Sequence, residues 1–217
     1  MLQSLKQIYV ARFNNKRERE NVWRILVKNY FQRFISKNDT VLDVGCGYGD
    51  FINYVTAKKK LAVDLNAFGR GEIAKDVRFF VAPSSKMPFI KAGSIDKIFV
   101  SNFFEHLRPE EIEATIKEFR RVLKSGGQVL VLQPNIRLLL HDFWMFFDHL
   151  TPIDDRGLTE IFGVYGFNLK KRIVRFIPYT RKSRLPKWPF FVKLYLRLPV
   201  IWPIFGRQSF LIFEKGD

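Results

Sequence analysis

The chain has 217 residues, a length that predicts one domain or a little more and enough buried surface to fold without a disulfide or metal staple. Hydrophobic residues make up 47%, which excludes a disordered or fibrous chain, and the one cysteine, Cys46, excludes an intrachain disulfide and an all-cysteine metal site. Lys and Arg number 37 against 21 Asp and Glu, a formal charge of +16 that favours anionic partners: nucleic acid, phosphorylated substrates or an anionic membrane surface.

Residues 1–19 mix apolar side chains with Lys6, Arg12, Lys16, Arg17 and Arg19, and lack the apolar core and cleavage site of a targeting segment. Nowhere do about 18 apolar residues run together as a spanning helix requires. The nearest approach, residues 198–205, is broken by Pro199 and Pro203. With a lone cysteine, these features predict a cytoplasmic protein, at most peripheral at the inner face of a membrane.

Residues 20–34 carry Val22, Ile25, Leu26 and Phe34 near helical spacing and predict an amphipathic helix ahead of the core. Short apolar runs then alternate with helical stretches. Strands are predicted at residues 41–44, 61–63, 77–81, 95–100 and 128–132. Helices are predicted at 48–57 and 110–123, the second stopped by Ser125-Gly126-Gly127. Such alternation predicts a parallel sheet covered on both faces. Further on, residues 158–164 read as helix, and 167–176 and 209–213 as strands. Between them, residues 178–207 are rich in proline, aromatic and basic side chains, and from Lys170 to Phe213 there are eleven Lys and Arg and no acid.

The first strand ends in Asp43-Val44-Gly45-Cys46-Gly47-Tyr48-Gly49. Glycines let the backbone turn sharply where a ligand approaches closely, and the amides opening the next helix are expected to form a polar pocket beyond the strand. A dinucleotide fingerprint needs glycine where Asp50 stands. Asp43 would repel a pyrophosphate but suits an ammonium group, so the pattern fits a nucleoside with a cationic amino-acid tail better than NAD. Asp64, 21 positions after Asp43, stands at the end of the second strand, where a carboxylate can accept both ribose hydroxyls.

These residues resemble the class I S-adenosylmethionine-dependent methyltransferases, in particular those acting on small molecules. Asp43-x-Gly45-x-Gly47-x-Gly49 is similar to the family's first motif and Asp64 to its ribose-binding acid. Residues 94–98 with Ser101-Asn102-Phe103-Phe104-Glu105-His106-Leu107 resemble its fourth-strand motif, and residues 119–127 its helix and turn before strand five. The resemblance covers about residues 40–135 and implies an α/β fold. That fold is a Rossmann-like, mostly parallel seven-stranded sheet with helices on both faces and the last strand antiparallel. It also implies S-adenosyl-L-methionine as cofactor, with S-adenosyl-L-homocysteine as product. The implied cofactor residues are Asp43, Gly45, Cys46, Gly47, Gly49, Asp64, Leu65, Ser84, Ser101 and Asn102. Family members often carry an acid after strand three that binds the adenine amino group. Residues 81–89 have none, so Ser84 or a backbone amide takes that contact.

The expected organisation is a single methyltransferase domain over 1–217. It divides into a helical segment (1–38), a cofactor-binding core (39–135) and an acceptor-side segment (136–217) holding the last two strands and the insertion 178–207. His106, His141 and His149 all follow strands four and five, on the presumed ligand side. Transfer of methyl to oxygen needs a base for the hydroxyl proton, a task that suits histidine. His149, His106 and Asp148 are the catalytic candidates, and Asn135 is a candidate for reaching the acceptor. No metal ligands are assigned. Residues 138–150 read either as a helix packed on the sheet or as a lid over an apolar acceptor.

For the basic, aromatic insertion three readings stay open: an interfacial element on anionic lipid, an RNA-binding surface, or a packed insertion with solvated cations. The phrase from Asp148 to Ile153 and that from Gly206 to Phe210 are similar to tails of bacterial methyltransferases associated with cell-surface polysaccharide synthesis. That resemblance implies O-methylation of a saccharide, a lipid-linked saccharide or a related small anionic acceptor. The alternatives are an RNA methyltransferase of the same fold and a non-catalytic binding protein that retains the fold. The oligomeric state is left open.

Overall fold

The computed structural model describes residues 15–178 and 188–217, together with residue 7. Seven strands form one sheet: β1 Thr40–Val44, β2 Lys59–Asp64, β3 Val77–Val81, β4 Ile95–Ser101, β5 Leu123–Pro134, β6 Phe167–Ile177 and β7 Gln208–Lys215. Their order is β3-β2-β1-β4-β5-β7-β6. β1 to β5 pair in parallel, while β7 runs antiparallel to both β5 and β6. The expected sheet, including its antiparallel last strand, is therefore the one observed. The chain winds outward from β1 in one direction and from β4 in the other. The carboxyl ends of these two neighbours bound the crevice where open α/β sheets bind ligands.

Successive strand residues face opposite layers, so each central strand feeds two cores. Phe99 and Phe210 join Leu26, Phe31, Phe51 and Phe176 on one face, where helix α1 (Lys16–Asn29) packs. Ile98 and Phe213 join Phe104, Phe119 and Phe162 on the other, beneath α2 (Pro109–Val122) and α3 (Asp155–Val164). Helix α2 illustrates the local logic. Pro109 opens it, the Glu111 carboxylate accepts the Arg108 amide at 2.8 Å, and Ile112, Thr115, Ile116, Phe119 and Val122 line its buried side.

Two expected elements differ. Residues 48–57 form no regular helix but a succession of turns, with Asn53 N–H on the Gly49 carbonyl and Tyr54 N–H on the Phe51 carbonyl. Gly47 and Gly49 both hold left-handed φ (53° and 78°), and Asn53 spends its side chain on the Glu72 carbonyl and the Ala74 amide; these bonds pull the segment away from a continuous ladder. The Gly126-Gly127 pair does not separate helix from strand. α2 ends at Val122 and β5 begins at once, with Gly126 at φ 67° inside it.

Candidate active site

At the carboxyl end of β1 the loop is closed by its own amides. Gly45 N–H and Cys46 N–H donate to the Val63 carbonyl at 2.8 and 3.3 Å, and Gly49 N–H donates to the Cys46 carbonyl at 2.8 Å. Gly47 N–H donates to Asp64 Oδ2 at 2.9 Å, while Asn66 N–H donates to Asp64 Oδ1 at 2.8 Å. The pocket is thus not the helix N-terminus expected from the sequence: no helix follows, and the loop amides are engaged within the protein. What the loop offers a ligand is carboxylate. Asp64 ends β2 beside the exposed Leu65.

Asp43 is buried, and its Oδ2 has no hydrogen-bond partner among the described residues. Burial holds its carboxyl well above the ordinary range, with the Ile52 amide opposing and the Asp50 and Asp64 charges adding. An orphaned buried carboxylate oxygen is costly unless something positive reaches it. That is the ligand chemistry of the ammonium end of S-adenosylmethionine, as Asp64 suits its ribose, so the residues present fit the cofactor.

The loop is also packed from outside. A Cβ on Gly45 would lie 2.4 Å from the Phe103 ring, and one on Gly69 would lie 1.9 Å from the Gly47 carbonyl oxygen. Arg19 of α1 binds Asp50 (2.8 Å) and Glu72 (2.7 Å) and lies 4.2 Å from the centre of the Tyr48 ring. None of these contacts was read from the sequence, although Phe103 sits within the fourth-strand motif and Gly69 and Gly71 form a pair.

The other implied cofactor residues are placed as follows. Cys46 is buried in the loop and its thiol is pushed up in pKa by burial. The Ser84 hydroxyl lies 2.7 Å from that of Thr115 in α2. Asn102, at the left-handed φ of 49°, donates its side-chain amide to Ser101 Oγ at 2.9 Å, and its own Oδ1 is buried without a partner among the described residues.

One strand over, the catalytic candidates converge. After β4, a short turn (Phe104–His106) carries Glu105 inward, 0% exposed, where Gln133 Nε2 donates to its Oε2 at 2.8 Å. The Glu105 carbonyl accepts the amides of Leu150 (2.7 Å) and Thr151 (3.2 Å), tying the distant 148–151 stretch to this turn. His106 Nδ1 therefore meets the Asp148 carbonyl at 2.9 Å and its carboxylate at 3.4 Å, while His106 Nε2 lies 3.8 Å from Glu105 Oε1. Burial pushes the Glu105 carboxyl up, opposed by His106. The His149 ring stands edge-on to His106 at 5.0 Å, buried between Phe143 and Phe146. One ligand atom from each of Glu105, His106 and His149 lies within 4.8 Å of the others. An ion could bridge that spacing: Gln133 takes only Glu105 Oε2 and Asp148 only His106 Nδ1, so neither contact blocks Glu105 Oε1 or His106 Nε2.

The segment after β5 is not one continuous helix but a short helical turn (Ile136–Leu139) followed by a tighter one (Leu140–Met145). Phe143 and Phe146 point inward against His149, while Trp144, Phe147 and Leu150 are exposed. Asn135 does not face an acceptor. It is buried and its amide donates to Asp155 Oδ1 (2.6 Å) and Ser209 Oγ (2.9 Å), within a network where Asp155 also binds Arg137 and Arg172. Of the basic insertion, residues 179–187 lie outside the described residues. Among the described residues no helix is long and apolar enough to cross a membrane.

The fold is Rossmann-like, with a switch-point crevice that carries two carboxylates, at the ends of β1 and β2, in place of a phosphate cradle. Residues 42–131, about two fifths of the chain, match the protein family described as a methyltransferase domain. The uncharacterized protein MJ1252 of Methanocaldococcus jannaschii is 28% identical over 134 residues, 61% of this chain and 52% of the relative, so the chain spans about half of that protein's length. Among solved structures, a SAM-dependent methyltransferase from Archaeoglobus fulgidus shares the fold at a TM-score of 0.69 and 18% identity, over 97% of this chain and 99% of that one. Geranyl diphosphate C-methyltransferase from Streptomyces coelicolor A3(2), solved with Mg2+, geranyl diphosphate and S-adenosyl-L-homocysteine, shares it at 0.59 and 16% identity, over 83% and 72% of the two chains.

Proposed function

We propose that this protein transfers the methyl group of S-adenosylmethionine to a hydroxyl oxygen of a saccharide, a lipid-linked saccharide or a related small anionic acceptor. The observation that carries the reading is the orphaned Asp43 carboxylate oxygen beneath the glycine loop, beside Asp64. Asp43 with Gly45, Cys46, Gly47 and Gly49 holds the amino-acid end of the cofactor. Asp64 accepts the ribose hydroxyls, Leu65 covers the base, Ser84 or a nearby amide contacts adenine, and Ser101 and Asn102 close the crevice. The bound cofactor supplies a methyl carbon made electrophilic by its sulfonium.

His106 is the base in this reading, in place of the His149 favoured by sequence alone, because His149 is buried among aromatic rings. The acceptor oxygen would take the methyl group as the carbon–sulfur bond of the sulfonium breaks and S-adenosylhomocysteine leaves, and the hydroxyl proton would pass to His106 Nε2. Asp148 orients the ring, and the Glu105 carboxylate, 3.8 Å away, stabilises the imidazolium. His149 supports the ring edge-on. The charge of +16 favours an acceptor carrying phosphate or carboxylate, and the tail resemblance favours a saccharide.

Calorimetric titration with S-adenosylhomocysteine, followed by methylation assays on phosphorylated and lipid-linked saccharides and on RNA, tests the proposal. Saturable binding and label in a saccharide fraction are expected. No binding at about 1 mM ligand, a free energy weaker than about −4 kcal/mol, would leave a non-catalytic docking protein, and label in RNA alone would replace the acceptor class.

A further inference from the structure

We infer that residues 188–205, on the approach to β7, form a docking face for an anionic lipid bilayer. Helix α4 (Pro189–Arg197) is pinned on one side. Tyr195 and Leu196 are buried, the Tyr195 hydroxyl donates to the Phe176 carbonyl at 2.8 Å, and Trp202 Nε1 donates to the Tyr195 carbonyl at 2.9 Å. Its outer side is not polar, as a solvated helix surface would be. Phe190, Leu194 and Leu198 follow one another at four-residue spacing with Phe191 beside them, and all four are exposed. The patch extends to Trp188 before the helix and to Val200 and Ile204 in the turns after it. Trp188 is 72%, Phe190 67%, Val200 77% and Ile204 62% exposed, far beyond scattered surface hydrophobics.

Charge selects the occupant. Lys193 and Arg197 are exposed on the same helix, and no acid occurs between Lys170 and Phe213, where eleven cations do. Apolar rings at the headgroup boundary with cations among anionic phosphates is the composition of an interfacial element. RNA would use the cations and the rings, but Leu194, Leu198, Val200 and Ile204 offer no ring face on which a base stacks.

Topology sets the orientation. β6 and β5 both run antiparallel to β7, so they point the same way, and the connection leaves at Ile177 and returns at Gln208, opposite Pro134. The patch therefore hangs from the carboxyl edge of the sheet, the edge that bears the crevice and the exposed Trp144 and Phe147. A docked bilayer faces the acceptor side. The inference stands apart from methyl transfer, since vesicle binding is measured without a methyl donor.

Co-sedimentation of the full chain with phosphatidylcholine vesicles, with and without phosphatidylglycerol, at low and high salt, tests it. Retention is expected only with phosphatidylglycerol, and less at high salt. The variant Phe190→Ser/Val200→Ser/Ile204→Ser should lose at least about tenfold in partitioning while keeping its melting temperature and its affinity for S-adenosylhomocysteine. If that variant melts early, Lys193→Gln/Arg197→Gln carries the test by weakening binding and flattening its salt dependence. Equal partitioning of parent and charge variant, retention indifferent to phosphatidylglycerol, or retention on single-stranded RNA with none on vesicles overturns the inference.

Discussion

His106 Nδ1 lies 2.9 Å from the backbone carbonyl of Asp148, a residue 42 positions later in the chain. A carbonyl only accepts, so Nδ1 carries the proton of the neutral ring, and Nε2 keeps the lone pair. The contact thus chooses which nitrogen can act as a base. It exists because the Glu105 carbonyl anchors the amides of Leu150 and Thr151.

Replacing this base should separate chemistry from binding. His106→Gln is expected to lower kcat by about 100-fold or more, the scale of general-base assistance, with affinity for S-adenosylhomocysteine nearly unchanged. His149→Gln should cost less in kcat, and part of its effect should be loss of melting temperature. Full turnover in His106→Gln, with the acceptor saturating, would remove histidine from the proton transfer.

Asp64 holds the Gly47 amide and is the proposed ribose acceptor, so two variants divide its roles. Asp64→Ala should weaken S-adenosylhomocysteine binding by ~1.5–3 kcal/mol, the worth of a charge-assisted hydrogen bond, or roughly 10- to 150-fold. Asp64→Asn keeps an acceptor oxygen for the loop and should lie between parent and Ala. Calorimetry that finds parent affinity in the Ala variant contradicts the assignment.

The buried acids near the loop make stability depend on pH in a definite direction. Burial pushes the Asp43 carboxyl well up, and burial pushes Asp50 up to about 6 despite the Arg19 ion pair. A folded-state pKa above the unfolded one means that the folded protein binds the proton more tightly. The contribution is therefore complete below the unfolded value, about 4, and is lost as pH rises through the folded value. Asp43→Asn should then gain melting temperature over the parent as pH rises from 4 to 7, by ~2–4 °C per kcal/mol relieved, and should bind S-adenosylhomocysteine more weakly. A gain that shrinks with rising pH would reverse the sign and refute the argument.

Two neighbouring glycines form a matched pair. A Cβ at Gly69 would stand 1.9 Å from the Gly47 carbonyl oxygen, whereas at Gly71 it would meet nothing within 4 Å. Gly69→Ala must move the backbone of the cofactor loop, at about 1–3 kcal/mol for overpacking, and should weaken cofactor binding. Gly71→Ala should change neither stability nor binding appreciably. Denaturant titration and calorimetry on both variants decide it, and equal behaviour would show that the loop accommodates the methyl group.

The turn after β1 and the acids beside it were legible in the sequence because strand ends and glycine turns are local features. Asp43, Gly45, Gly47, Gly49 and Asp64 lie at the ends of adjacent strands, and strand alternation with glycine backbone freedom is written in short stretches of chain. The strand order β3-β2-β1-β4-β5-β7-β6, by contrast, came only from the structure, because it depends on pairing between distant segments. The acceptor side was not legible in that way. Whether His106 or His149 is buried, which nitrogen of His106 is free, and that Asn135 braces Asp155 and Ser209 all depend on contacts between segments tens of residues apart. The helix expected at 48–57 failed for a related reason: Asn53 and the left-handed glycines are engaged by residues 72–74 and by the loop itself, which no local periodicity encodes. Backbone conformation is a property of neighbours in sequence, whereas burial and hydrogen-bond partnership belong to neighbours in space.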